Sequence, residues 1–219
     1  MDVRLVLFDL DGTLVDTAPD LTAAVNRMLT RLKRAPVRES EVRDWVGDGA
    51  RALVRRALTR SEPVEDDCVD AAFDLFWRFY GDALCVHSRS YPGARDALVS
   101  LRRGGMALGC VTNKPAAFAR PLLHALHLAE YFDTVVAGDS LSVKKPSPEP
   151  LLLACEKLAV SPKESVLVGD SANDVRAARA AGMRVICVSY GYNQRQDLIA
   201  LGANALVDSL TDVAAFFEH

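Results

Sequence analysis

The chain has 219 residues, half of them hydrophobic and a quarter charged, enough to bury a sizeable core without disulfide or metal staples. Its 26 Lys and Arg stand against 29 Asp and Glu, a net charge of −3, which excludes the broad basic face of a general nucleic-acid or membrane-surface binder. No apolar run approaches the roughly 18 residues of a membrane span, and Asp9 and Asp11 interrupt the short run Leu5–Phe8 too early for a secretory leader.

In chain order, Arg4–Phe8 predicts a buried strand that ends in the acidic turn Asp9-Leu10-Asp11-Gly12. The period then becomes helical. Asp16, Thr17 and Pro19 mark a helix start, and Leu21, Ala24, Val25, Met28, Leu29 and Leu32 follow at helical spacing. A second helix is expected from about Ser40 to Gly47. A third carries Leu53, Val54, Ala57 and Leu58 on one face, and a fourth Val69, Ala72, Phe73, Phe76 and Tyr80. Nothing between residues 16 and 87 reads as a strand.

After Tyr91-Pro92-Gly93 helices and strands alternate. Helices are expected at 94–103, 116–127, 149–159, 173–181, near 194–201 and near 211–218. Strands are expected at 106–111, 134–137, 165–169, 184–188 and 205–207. Strands that are apolar almost throughout, alternating with helices, predict a parallel sheet covered on both faces. The expected architecture is therefore α/β: a Rossmann-like core from 1–15 plus 88–219, with an all-helical cap inserted at 16–87. The five cysteines are scattered, and Cys110 and Cys187 fall inside strands; an odd count without a framework predicts a reduced, cytoplasmic protein.

The carboxylates fall in an informative place. Asp9 and Asp11 follow the first strand, and Asp170 and Asp174 follow the strand at 165–169. Ligands of open α/β sheets bind outside the carboxyl ends of strands. Acids converging there repel one another unless a cation lies between them, and Mg2+ is the common choice when the substrate brings phosphate. Thr112 and Asn113 end another strand, and Lys144-Lys145-Pro146 precedes a helix. A lysine and a hydroxyl beside a metal make a clamp for a phosphoryl group. A nearby carboxylate can then attack phosphorus, and a second acid can protonate the leaving oxygen and later activate water.

These residues resemble the haloacid dehalogenase superfamily of aspartate-nucleophile phosphohydrolases. Its four short motifs stand in order: Asp9-Leu10-Asp11-Gly12-Thr13, Val111-Thr112-Asn113, Lys145-Pro146, and Gly169-Asp170-Ser171-Ala172-Asn173-Asp174. The resemblance implies that Asp9 is the nucleophile and a metal ligand. It implies that Asp11 is the general acid and base, with its backbone carbonyl on the metal. Thr112, Asn113 and Lys145 would bind substrate, with Thr112 and Lys145 on the phosphoryl oxygens. Asp170 would be a direct metal ligand, and Asp174 would support the metal or Lys145. Lys145 is preferred over Lys144 because the superfamily's lysine immediately precedes proline. Dehalogenases proper lack an acid at the position of Asp11, since halide leaves without a proton, so the resemblance implies phosphate-ester chemistry.

The segments Thr17–Leu21, Gly47–Leu53 and Lys144–Leu151 look like those of bacterial phosphoglycolate phosphatases. The implied function is Mg2+-dependent hydrolysis of a small-molecule phosphomonoester, most simply 2-phosphoglycolate, by a monomer or weak homodimer that engages neither nucleic acid nor membrane. Backbone N–H groups at the helix start beside Gly47 and Gly49, with Arg51, would suit the substrate's carboxylate. A sugar-phosphate phosphatase, a phosphomutase or a catalytically silent binding module are the alternatives. Other readings of single residues stay open: Asp174 would also stabilise a helix dipole, Arg51 shares a basic helix with Arg55, Arg56 and Arg60, His87 reads as a surface histidine, and Asp139 follows a strand without an assigned role.

Overall fold

The computed structural model describes residues 3–60, 63–194 and 196–217. Its centre is a parallel six-stranded sheet built from β1 (Leu5–Phe8), β4 (Ala107–Val111), β5 (Thr134–Val136), β6 (Ser165–Gly169), β7 (Arg184–Val188) and β8 (Ala205–Val207), in the spatial order β5-β4-β1-β6-β7-β8. Each neighbouring pair runs parallel. Period-2 alternation assigns the two faces of β1. Val6 and Phe8 pack with α5 (Ala94–Arg103), α6 (Ala116–Ala125) and α9 (Leu210–Ala215). Leu5 and Leu7 pack with α7 (Glu149–Leu158) and α8 (Ala172–Ala180). All four residues are fully buried, which is why the strand reads as an unbroken apolar run.

The chain leaves β1 for one side of the sheet and returns through β6 on the other, so the strand order reverses between them. That reversal opens a crevice at the carboxyl ends of β1 and β6, and Asp9 and Asp170 are the residues immediately after those strands.

Between β1 and β4 lie α1 (Ala18–Arg31), α2 (Glu39–Trp45), α3 (Ala50–Thr59) and α4 (Asp66–Asp82). They share a separate apolar core that includes Val25, Met28, Val54 and Phe76 and receives Phe118 from α6. The path into and out of this insert is a two-stranded antiparallel ribbon, β2 (Val15–Asp16) with β3 (Arg89–Ser90). The sequence shows no sign of it, because two-residue strands carry no periodicity. The expected second helix is shorter at its C-terminal end, closing at Trp45 before extended Val46. The helix expected near 194–201 is replaced by turns at 198–202 that close at Gly202 (φ 106°); Arg195 of that stretch lies outside the described residues, as does Glu218 at the end of the expected last helix.

All five cysteines are free thiols. Among the described residues no helix is long and apolar enough to cross a membrane.

Candidate active site

Asp9 and Asp170 meet across the sheet's reversal, and Asp174 joins them from the first turn of α8. Carboxylate oxygens of the three lie within 4.8 Å of one another, and all three residues are buried. One ammonium serves two of them: Lys145 Nζ donates to Asp9 Oδ1 and to Asp174 Oδ1, each at 2.7 Å. Asp174 also works locally, its Oδ2 accepting from the backbone N–H of Ser171 at 3.1 Å and from its hydroxyl at 2.7 Å. The helix-terminus role and the site role left open by the sequence thus fall to two oxygens of one side chain.

Burial pushes Asp9 up to about 7, with the Lys145 ammonium opposing the shift and Asp174 adding to it. Asp170 is raised by burial and by the neighbouring Asp174 and Asp9. Burial also disfavours the charge on Lys145, yet Asp174 and Asp9 together hold it above the usual lysine range. Were all three carboxyls ionised, the one ammonium would leave two negative charges uncompensated. An all-oxygen donor set with that excess fits a hard divalent cation such as Mg2+.

Asp170 is fixed from three sides. Thr13 Oγ1 donates to its Oδ1 at 3.1 Å and the Tyr192 N–H to its Oδ2 at 2.5 Å. Gly191 packs so closely that an added Cβ would overlap the Asp170 side chain and the Gly12 carbonyl.

Asp11 points to the far side of the cleft. Its Oδ1 accepts from Thr17 Oγ1 at 2.7 Å and from Lys114 Nζ at 3.0 Å. Thr17 therefore does not cap α1 with its side chain; the N–H groups of Thr17 and Ala18 donate to Tyr192 Oη at 2.9 and 3.0 Å instead. Thr112 and Asn113 end β4 as expected. Thr112 is buried at the cleft with its hydroxyl accepting from the Lys114 N–H at 3.2 Å. Asn113 exchanges hydrogen bonds with the Lys145 backbone, donating to its carbonyl at 2.9 Å and accepting from its N–H at 3.0 Å. That exchange sets the Lys145 side chain from below. Asn113 Nδ2 also donates to the Gly47 carbonyl at 2.8 Å, tying the loop between α2 and α3 to the core.

The resulting cleft encloses about 630 Å³, its open mouth included. The core supplies its acids and lysines. The insert closes it with apolar side chains, Leu21, Val46, Leu53 and Phe76 among them.

Seven of the expected residues converge here: Asp9, Asp11, Thr112, Asn113, Lys145, Asp170 and Asp174. Arg51 does not. It points outward on α3, half exposed, in an ion pair with Asp70 of α4. The helical period places it on the basic outer face with Arg55, which pairs with Asp66. Asp139 is exposed and accepts from the Ala116 N–H at 2.9 Å at the start of α6, His87 is on the surface, and Lys144 is exposed against Gly49. The sequence reading missed Lys114, Tyr192 and Tyr80. For Lys114 a signal existed, since it directly follows Thr112-Asn113 and precedes a proline as Lys145 does. For the tyrosines none did, because Tyr192 Oη meets Asp16, Thr17 and Ala18, 174 to 176 positions away, and Tyr80 meets Lys114 only through the packing of α4 on the core.

The family model for haloacid dehalogenase-like hydrolases matches residues 3–182. The chain belongs to this family. Its relatives include a phosphoglycolate phosphatase of Nitrosospira multiformis, 47% identical with 100% of this chain and 97% of that protein covered. One of Escherichia coli K12 is 41% identical over 97% of this chain and 91% of its own length. A crystal structure of a predicted phosphoglycolate phosphatase from Haemophilus somnus superposes with a TM-score of 0.94 at 33% identity, covering 100% of this chain and 99% of that one. In this member of the family Asp9, Thr112 and Asp170 directly follow strands of the sheet, and the apolar side chains over the cleft come from the insert.

Proposed function

We propose that this protein is a Mg2+-dependent phosphatase of small phosphomonoesters and that its substrate is 2-phosphoglycolate. The observation that carries the reading is the meeting of Asp9, Asp170 and Asp174, two of them on the Lys145 ammonium, with Asp11 held separately by Lys114.

Asp9, Asp170 and the backbone carbonyl of Asp11 would hold the cation, with Asp174 supporting it, and the ion would neutralise charge on the phosphoryl oxygens. Lys145 and Thr112 bind those oxygens and orient the phosphorus toward Asp9. An Asp9 carboxylate oxygen attacks phosphorus in line, and the ester oxygen departs as it takes a proton from Asp11. Asp11, now ionised, accepts a proton from water as that water attacks the aspartyl phosphate, releasing inorganic phosphate and restoring Asp9. Thr17 and Lys114 keep the Asp11 carboxyl in one orientation for both proton transfers.

Residues 16–87 serve as a cap that excludes bulk water and selects the substrate. Their contribution to the cleft is mainly apolar, which suits a two-carbon substrate and leaves few partners for the hydroxyls of a sugar phosphate. The names and near-complete overlap of the relatives support the same substrate. The reading includes a monomer or weak homodimer, and the free thiols suit the cytoplasm.

Asp9→Asn should lower kcat by about 10³-fold or more in a phosphate-release assay with Mg2+, because the nucleophile is gone while the fold remains. Turnover near the wild-type rate would remove the mechanism. For the substrate, kcat/KM with 2-phosphoglycolate should exceed that with hexose phosphates; about a tenfold preference for a hexose phosphate would overturn the substrate while leaving the chemistry in place.

A further inference from the structure

One wall of the cleft carries a cation and a hydroxyl that the four motifs do not include. Lys114 is 5% exposed and Tyr80 1% exposed, and both line the cleft. The Lys114 ammonium lies 4.7 Å from the centroid of the Tyr80 ring and donates to Asp11 Oδ1 at 3.0 Å and Oδ2 at 3.3 Å. An ammonium has three N–H donors, so the contact with Asp11 leaves donor capacity over. The Tyr80 hydroxyl is buried beside the Lys114 ammonium and makes no hydrogen bond of good geometry among the described residues. Buried hydroxyls are rarely left so, and each such orphan needs a reason. Burial pushes this hydroxyl up to about 12, so it keeps its proton and remains a donor.

The surroundings narrow what those donors are for. Lys145 is occupied by Asp9 and Asp174, Arg51 is turned away to Asp70, and the nearby wall is apolar, with Leu53, Phe76 and Phe118. A second anionic group on the substrate, away from phosphorus, finds its cation only here among the cleft-lining residues. Geometry agrees. The ester oxygen must come within hydrogen-bonding reach of Asp11 to be protonated, and Lys114 is already in contact with Asp11. A carboxylate on the ester carbon has its own carbon two single bonds, about 2.4 Å, from the ester oxygen, which brings it to Lys114.

We propose that Lys114 Nζ and Tyr80 Oη form the subsite for the substrate's carboxylate and so determine specificity for an acidic phosphomonoester over a neutral one. This rests on the phosphomonoesterase reading above. It moves the carboxylate site from the helix start and Arg51, where the sequence pointed, to the connection between β4 and α6 and the last turn of α4.

The test compares 2-phosphoglycolate with ethyl phosphate, which keeps the two carbons and lacks the carboxylate, in wild type, Tyr80→Phe and Lys114→Met. The readout is the ratio of kcat/KM for the two substrates. Wild type should favour 2-phosphoglycolate. Tyr80→Phe should shrink the ratio about fivefold and Lys114→Met about fiftyfold, as expected for one neutral and one charged hydrogen bond to a carboxylate; Lys114→Met should also lower kcat on both substrates alike, because Asp11 loses its partner, and that common loss cancels in the ratio. Equal losses on both substrates would mean that Lys114 acts only through Asp11, and would overturn the subsite. A ratio unchanged in Tyr80→Phe, which keeps the ring and its packing, would overturn the hydroxyl's part even if Lys114→Met failed to fold. A wild-type ratio near one would sink the 2-phosphoglycolate reading itself, and the subsite with it.

Discussion

At the scale of single residues, the site is governed by a charge imbalance. Asp9, Asp170 and Asp174 are buried together, and Lys145 neutralises only one charge's worth of them. The protein meets the excess by holding protons: Asp9 is pushed from an ordinary 3.8 up to about 7, and Asp170 is raised as well. A carboxyl that binds its proton more tightly folded than unfolded contributes stability that is full below the unfolded value, near pH 4. That contribution is lost as pH rises through about 7. A divalent cation competes with those same protons. Added Mg2+ should therefore raise Tm more at pH 8 than at pH 5.5, by a margin of about 3 °C or more. Equal shifts at the two pH values in differential scanning calorimetry would show that the cation binds elsewhere.

At the scale of elements, strand ends and helix starts do the positioning. The entry to α1 has its N–H groups capped by Tyr192 from the far side of the sheet, which frees Thr17 to hold Asp11. One turn further, Asp20 is 2% exposed. It accepts from the backbone N–H groups of Val86, His87 and Ser88 and from the Ser88 hydroxyl, at 2.7–3.1 Å. This carboxylate fastens the outgoing connection of the insert to its incoming helix. Asp20→Ala strips several donors of their acceptor and should cost about 3 kcal/mol in urea unfolding, since unsatisfied buried donors are expensive. A loss under about 1 kcal/mol would mean that water replaces the carboxylate without penalty.

At the scale of the whole molecule, the insert is held over the core by side-chain amides. Asn113 reaches the Gly47 carbonyl, Asn173 Nδ2 donates to Asp48 Oδ1 at 2.7 Å, and Gln194 Nε2 donates to the Asp44 carbonyl at 2.7 Å. Each contact joins the end of α2 or the loop after it to a segment beyond the carboxyl edge of the sheet. If closure of this loop excludes water during turnover, loosening it should show in binding more than in chemistry. Asn173→Ala should raise KM for 2-phosphoglycolate about fivefold, the worth of one lost hydrogen bond, and quicken amide exchange over residues 46–50. Unchanged KM and exchange would mean that these contacts do not govern closure.

Most of the fold and the acidic half of the site were legible in the amino-acid order. Buried parallel strands are apolar along their whole length, so β1, β6 and β7 announce themselves, and a carboxylate straight after such a strand stands out because nothing in the core would tolerate it. Those are local signals, spanning a few residues. What tertiary structure alone decided is which side chains look into the cleft. Arg51 and Lys114 both follow promising local sequence, yet helical phase turns the first outward to Asp70, and the end of β4 turns the second inward to Asp11 and Tyr80. The Tyr192 and Asp20 contacts likewise span 66 to 176 positions. Direction and long-range pairing depend on where whole elements settle against each other, and no run of neighbouring residues contains that information.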